Sequence, residues 1–265
     1  MVIYVPGRRW RLLACGVLAL MVLFFLQGLA WQGAVAVFSR LTENRILPIY
    51  EVDRPDKAIS ISLDAVWGAE YTNSFLELFE KEGIKTTFFL GGYWLEKYPE
   101  LARKIVASGH EIGNHTYSHP HLNSLSREEI RHELERNHAL IVEITGFTPT
   151  LFRPPFGEYS NKVIEVAEAV GYKTIQWSID SLDWRNPSVD YIVNRVMSQV
   201  RPGSIILFHN NGVNTLAALK VLLPRLKADG FQIVPISQLI YTENYCIDAN
   251  GVQRRLPMAQ RGEER

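Results

Sequence analysis

From about residue 58 onward, short apolar runs alternate with stretches whose apolar positions recur at helical spacing. Residues 58–63 form a run ending at Asp64 and read as a strand, as do 85–90, 151–152, 173–179, 204–208 and 232–234. Between them, 71–82 places Phe75, Leu78 and Phe79 on one helical face, and Gly83 follows as a C-terminal stop. Residues 99–107 read as a helix ended by Gly109. Ser126 with Glu129 is a capping box opening a helix that runs to about 145. Further helices are expected over 161–170, from 188 or 189 to 200, and over 215–228. Strands that are nearly continuously apolar and alternate with helices imply a parallel sheet covered by helices. About seven such units favour barrel-like closure over an open doubly wound sheet. No internal repeat or low-complexity tract interrupts the pattern.

The first residues break this rhythm. Arg8, Arg9 and Arg11 precede a nearly uncharged run over 12–38, long enough for a membrane-spanning helix of about 20 residues. The basic cluster before it predicts a cytoplasmic N-terminus and an exported remainder. The division expected is a basic segment 1–11, a transmembrane anchor or signal segment 12–38, a linker 39–57, a catalytic domain 58–243 and a polar, disordered tail 244–265. An uncleaved single-pass anchor in the cell membrane is the preferred reading, because the run exceeds the 7–15 residues or so of a signal-peptide core. Secretion after cleavage near Gly28-Leu29-Ala30 is the rival. Leu13-Ala14-Cys15 precedes the apolar core and so does not serve as a lipoprotein box.

Composition narrows the options further. The 265 residues carry 28 basic and 28 acidic side chains, and no basic stripe marks a nucleic-acid partner. Cys15 and Cys246 lie at opposite ends, one inside the apolar segment, so no structural disulfide is expected. The sequence assigns no oligomeric state.

The candidate chemistry sits where strands end, which is where active sites lie in such folds. His115 and His119, with three residues between them, are spaced as on one face of a helical turn, with Pro120 ending any helix there. Two imidazoles so spaced can share one metal ion at about 2.0–2.1 Å. Asp64, Arg153, Asp180, Asp183 and His209 also follow strands. Each alone reads as a cap or turn residue. Together they exceed what loops need, since loops are served by Gly, Pro, Asn and Ser.

Five blocks occur in order: Ser62-Leu-Asp64, His115-Thr-Tyr-Ser-His119, Arg153-Pro-Pro-Phe-Gly157, Asp180-Ser-Leu-Asp183-Trp184 and Leu207-Phe-His209. In these the chain resembles the polysaccharide deacetylases, the NodB-like carbohydrate esterases, over residues 55–243. The first block continues as Asp64-Ala-Val-Trp67-Gly68, which is most similar to the sporulation-associated PdaB-type branch. The resemblance implies an α/β fold, a distorted incomplete (β/α) barrel. It implies hydrolytic removal of the acetyl group from an N-acetylated amino sugar in a cell-wall glycan, peptidoglycan or chitin-like. It assigns Asp64 as the base, Arg153 as its cationic partner, His209 as the acid and Asp180 as the carboxylate that sets the His209 tautomer. His115 and His119 would bind the metal, zinc first, with cobalt or nickel as alternatives. A backbone N–H near Phe156 would help bind the oxyanion, and Trp184 and Leu207 would line the acetyl pocket.

One position departs from the family. Most members carry a second Asp directly after the base, as third metal ligand; here that residue is Ala65. A catalytic zinc normally takes three protein ligands and a water. Three readings stay open: a metal held by two histidines and extra water, Asp64 moved onto the metal, or a glycan-binding or scaffolding domain that has lost catalysis.

Overall fold

The computed structural model describes residues 45–257, with a folded unit running from Ile46. The anchor or signal segment lies outside the described residues, as do the rest of the N-terminal segment and residues 258–265. Among the described residues, no helix is long and apolar enough to cross a membrane.

The centre of the fold is β2 (Ala58–Ala65), buried along its whole length. Its apolar residues alternate with Ser60, Ser62 and Asp64, and the buried serine hydroxyls donate to the Val234 and Ile206 carbonyls. β2 pairs in parallel with β3 (Thr87–Leu90) on one side and β8 (Ile205–His209) on the other. From β3 the sheet continues through β4 (Glu111–Asn114), β5 (Leu151–Phe152) and β6 (Lys173–Thr174). Beyond β8 lies β7 (Ile179–Asp180), and β9 (Gln232–Ile233) pairs with the start of β2. The parallel sheet curls into a half-barrel covered by helices, so closure is partial, as the distorted-barrel expectation has it.

Eight helices among the described residues cover the sheet: α1 (Thr72–Glu82), α2 (Gly92–Lys97), α3 (Pro99–Ala107), α4 (Arg127–Thr145), α5 (Asn161–Ala169), α6 (Val189–Met197), α7 (Thr215–Ala228) and α8 (Ile236–Leu239). Local signals set their ends. Gly83 closes α1 with a left-handed φ of 65°, and Ser126 and Glu129 form the capping box of α4. The short α2, absent from the periodicity, is pinned by backbone bonds from Gly92 and Tyr93 to the carbonyls of Thr116 and Tyr117.

Three expectations are corrected. The strand expected over 173–179 is broken in two: between β6 and β7, Ile175 bridges Ile49 in parallel, the Gln176 N–H donates to the Ile49 carbonyl and the Ser178 N–H to the Ile205 carbonyl. The segment expected as a linker is structured from Ile49 onward: Ile49 and Val52 are buried and β1 (Glu51–Val52) is a strand. The expected disordered tail is also folded through residue 257. β10 (Tyr245–Ile247) and β11 (Val252–Arg255) form a three-stranded sheet with β1. The turn between them works because Asp248 Oδ1 accepts from the backbone N–H groups of Asn250 and Val252, and Gly251 takes φ 77°. The compact domain therefore exceeds 58–243 at both ends.

Candidate active site

The strand register builds the site before any side chain is considered. Asp64 and His209 are Cα partners across the β2–β8 pair. They stand side by side at the carboxyl edge of the sheet. A cavity of about 470 Å³ opens above them. It is lined by both residues together with His115, His119, Phe156, Trp177, Asp180, Trp184 and Leu207. Eight of the nine site residues named from the sequence therefore line it, and the ninth, Arg153, is buried behind Asp64.

Arg153 is fully buried. Its Nη1 donates to Asp64 Oδ1 at 2.8 Å and to Ser62 Oγ at 2.8 Å, and its Nη2 donates to the Gln176 carbonyl at 3.2 Å. The guanidinium also lies over the Phe89 ring, 4.1 Å from its centroid. Burial pushes the Asp64 carboxyl up, but the Arg153 charge first, with the His115 and His209 imidazoles and the Arg153 hydrogen bond, outweighs it and holds the group below the usual range. Asp64 is thus ionised, with Oδ2 left facing His115 Nε2 at 3.5 Å.

His115 and His119 do not share a helical turn, contrary to the spacing argument. Thr116 and His119 take left-handed φ values of 64° and 58°, and the pair sits in a loop. The loop nevertheless brings the rings together, with centroids 5.0 Å apart. His115 Nδ1 lies 2.7 Å from the Arg153 carbonyl, which can only accept, so Nδ1 carries the proton and Nε2 presents a bare lone pair. Burial drives both imidazoles toward the neutral form, His119 down to about 3. Two neutral imidazoles, one with its tautomer set by a backbone acceptor, suit a divalent cation. The third donor is missing. Ala65 is buried and joins the main apolar cluster, and among the described residues no three His, Cys, Asp or Glu side chains converge to hold a metal ion.

His209 is held by Asp183, and this corrects the assignment of Asp180. His209 Nδ1 lies 2.7 Å from Asp183 Oδ1. Asp183 is fully buried, and its Oδ2 also accepts from the His209 backbone N–H at 2.8 Å and from Thr215 Oγ1 at 2.6 Å. Asp180 spends Oδ1 on its own turn, accepting from the Leu182 N–H at 2.8 Å. Leu182 then adopts φ 58°, swinging Asp183 back under the histidine. Burial pulls the His209 imidazole down, but the Asp183 hydrogen bond and charge outweigh it and raise it above its ordinary value. The cationic form, with Nε2–H free of Asp183, is favoured.

The rim is aromatic. Phe156 and Trp184 are more than half exposed, and Leu207 is buried at the cavity wall. Phe156, at φ 58°, stacks on His121 at 4.4 Å and meets His119 edge-on at 4.5 Å. Trp67 and Trp177 also line the cavity and escaped assignment from the sequence. Trp67 lay in view within the first block. Trp177 was hidden inside an apparently continuous strand.

Residues 51–175 match the polysaccharide deacetylase family. The chain is 35% identical over 196 residues to a peptidoglycan-N-acetylglucosamine deacetylase of Bacillus cereus, covering 72% of this chain and 92% of that protein. It is 34% identical over 194 residues to the uncharacterized protein YlxY of Bacillus subtilis, covering 73% of this chain and 60% of that protein's length. Among solved structures, a CE4 family pseudoenzyme from Bacillus anthracis superposes with a TM-score of 0.71 at 34% identity, covering 72% of this chain and 68% of that one. A mutant of that pseudoenzyme with restored enzymatic activity superposes equally well, at 35% identity and covering 72% and 70%.

Proposed function

Since the chain belongs to the polysaccharide deacetylase family, we propose that it hydrolyses the N-acetyl group of an amino sugar in a cell-wall glycan, N-acetylglucosamine of peptidoglycan first. The observation that carries this reading is the pair Asp64 and His209, register partners at one cavity, each held by a buried opposite charge. Asp64 takes a proton from the attacking water through Oδ2, since Arg153 occupies Oδ1. His209 donates from Nε2 to the departing amine, and Asp183 keeps the imidazole in the tautomer and charge state that permits this. Trp184 and Leu207 receive the acetyl methyl, and a backbone N–H near Phe156 serves the oxyanion. His115 and His119 would hold a divalent metal, zinc, cobalt or nickel. A metal there supplies Lewis-acid polarisation of the amide carbonyl. The basic and apolar N-terminal segments support an anchored domain outside the cytoplasm, and Asp64-Ala-Val-Trp67-Gly68 motivates a sporulation role.

The test is acetate release from peptidoglycan or chitin oligomers with each metal added. Absence of release from folded protein with every metal would sink this reading. Ala65 favours a second one, a glycan-binding domain without catalysis, and the likeness to a pseudoenzyme supports it. That reading expects glycan binding to survive Asp64→Asn and His209→Ala.

A further inference from the structure

Trp67 stands in the same cavity as Asp64 and His209, yet neither the acid–base pair nor the histidine pair has any use for it. Its indole is 57% exposed. A large aromatic surface left in water is worth more buried, so an exposed indole beside a pocket points to a ligand that covers it.

The loop that carries it is built to hold it still. The Gly68 carbonyl accepts from Trp94 Nε1 at 2.7 Å and from Asn210 Nδ2 at 2.7 Å, and both donors belong to buried residues. The Ala69 N–H donates to Glu70 Oε2 at 3.0 Å. Gly68 takes φ 67°, where a Cβ would lie 2.5 Å from Glu70 Oε2 and 3.4 Å from Asn211 Cβ. The turn therefore requires glycine, and its carbonyl is tied to two buried side chains. On its inner side Trp67 meets His119 edge-on, with centroids 6.3 Å apart. Asn211, exposed and packed beside Gly68, lines the same cavity. An exposed indole and a neutral amide lining one cavity suit a pyranose ring. The ring's apolar face covers the indole, and its hydroxyls bond the amide.

We infer that Trp67 forms a subsite for the sugar adjoining the one that reacts. The ligand is then a chain of neutral pyranoses and not a single sugar or a charged peptide stem. This rests on the deacetylase reading for its choice of glycan, but not on turnover.

Calorimetric titration with the disaccharide and the tetrasaccharide of N-acetylglucosamine tests it, with acetate release followed in the same samples. Wild-type protein should bind the tetrasaccharide about tenfold more tightly than the disaccharide. Trp67→Ala should lose that gain with length, and Trp67→Phe should keep most of it, both with wild-type circular dichroism. A length gain that persists in Trp67→Ala, or is missing from the wild type, overturns the subsite. Length-dependent binding that needs Trp67, without acetate release, upholds the subsite and removes the deacetylase reading. Acetate release with length-independent binding does the reverse. Tighter binding of a stem peptide than of either sugar overturns the assignment of a neutral glycan.

Discussion

On one side of the cavity, His209 is locked by a buried carboxylate that serves three donors. On the other side, His115 and His119 are two neutral imidazoles with no third His, Cys, Asp or Glu converging on them among the described residues, and Ala65 packs into the apolar cluster. The first half is a fully partnered imidazole–carboxylate pair. The second is a pair of imidazoles that would hold a metal, one donor short of the usual three. Between them, Asp64 belongs to both, with one oxygen committed to Arg153 and the other turned toward His115. The half built around His209 and Asp64 is thus also part of the packed interior, whereas the histidine pair is not completed by a third donor. Arg153 and Asp183 are buried, paired charges, and losing either partner leaves the other unpaired in a dry place.

Arg153→Ala should break the comparison most severely, because it strands the Asp64 carboxylate. A loss of about 3–5 kcal/mol in denaturant unfolding is expected. The sign with pH follows from Asp64, whose folded pKa is depressed. Its contribution is present above the ordinary carboxylate pKa and is lost as pH falls through the folded value. The variant should therefore lack that part of the wild type's acid sensitivity.

Ala65→Asp sharpens the comparison by completing the weak half. Without metal it should destabilise the fold, since a carboxylate enters a buried position. Zinc at about a hundred times its dissociation constant should restore roughly 2.7 kcal/mol to the variant and much less to the wild type, read as a shift in melting temperature. A variant indifferent to zinc would show that the histidine pair is not a metal site.

Asp183→Asn attacks the fully partnered half. Losing the partner that raises His209 should lower that imidazole's pKa, so the alkaline limb of the pH–rate profile moves to lower pH. A ten- to hundredfold loss of kcat, the usual scale for a group that orients another, should accompany it. Asp180→Asn should have the smallest effect. Its charge also acts on His209, but more weakly, so the same limb should move in the same direction and by less. Equal shifts would return Asp180 to the role first expected of it.

The two aspartates show how far the site was legible. Asp180 and Asp183 stand in one block, and both follow a strand. Nothing in their spacing says which carboxylate reaches His209. The choice is made by an Asx turn that uses Asp180 and by a left-handed Leu182 that redirects the chain. The histidine pair shows the converse: the residues were found, but for a helical reason that a loop with two positive φ values replaces. The 173–179 strand and the tail were misread for one cause. Their pairing partners, Ile49 and β1, lie more than a hundred residues away and carry little periodicity of their own.

The sequence by itself determined the alternation of strands and helices, the caps that end the helices, and the identity of nearly every polar residue at the cavity. These are local properties, set by periodicity, by glycine and by capping chemistry. Only the tertiary structure decided that Asp64 and His209 are neighbours, that Asp183 and not Asp180 holds the histidine, and that Trp67 faces the cavity. Register across β2 and β8, left-handed turns and long-range bridges settle those points. They arise from groups far apart in the chain meeting in a low-dielectric interior, where each buried charge and each hydrogen-bonding group must find a partner.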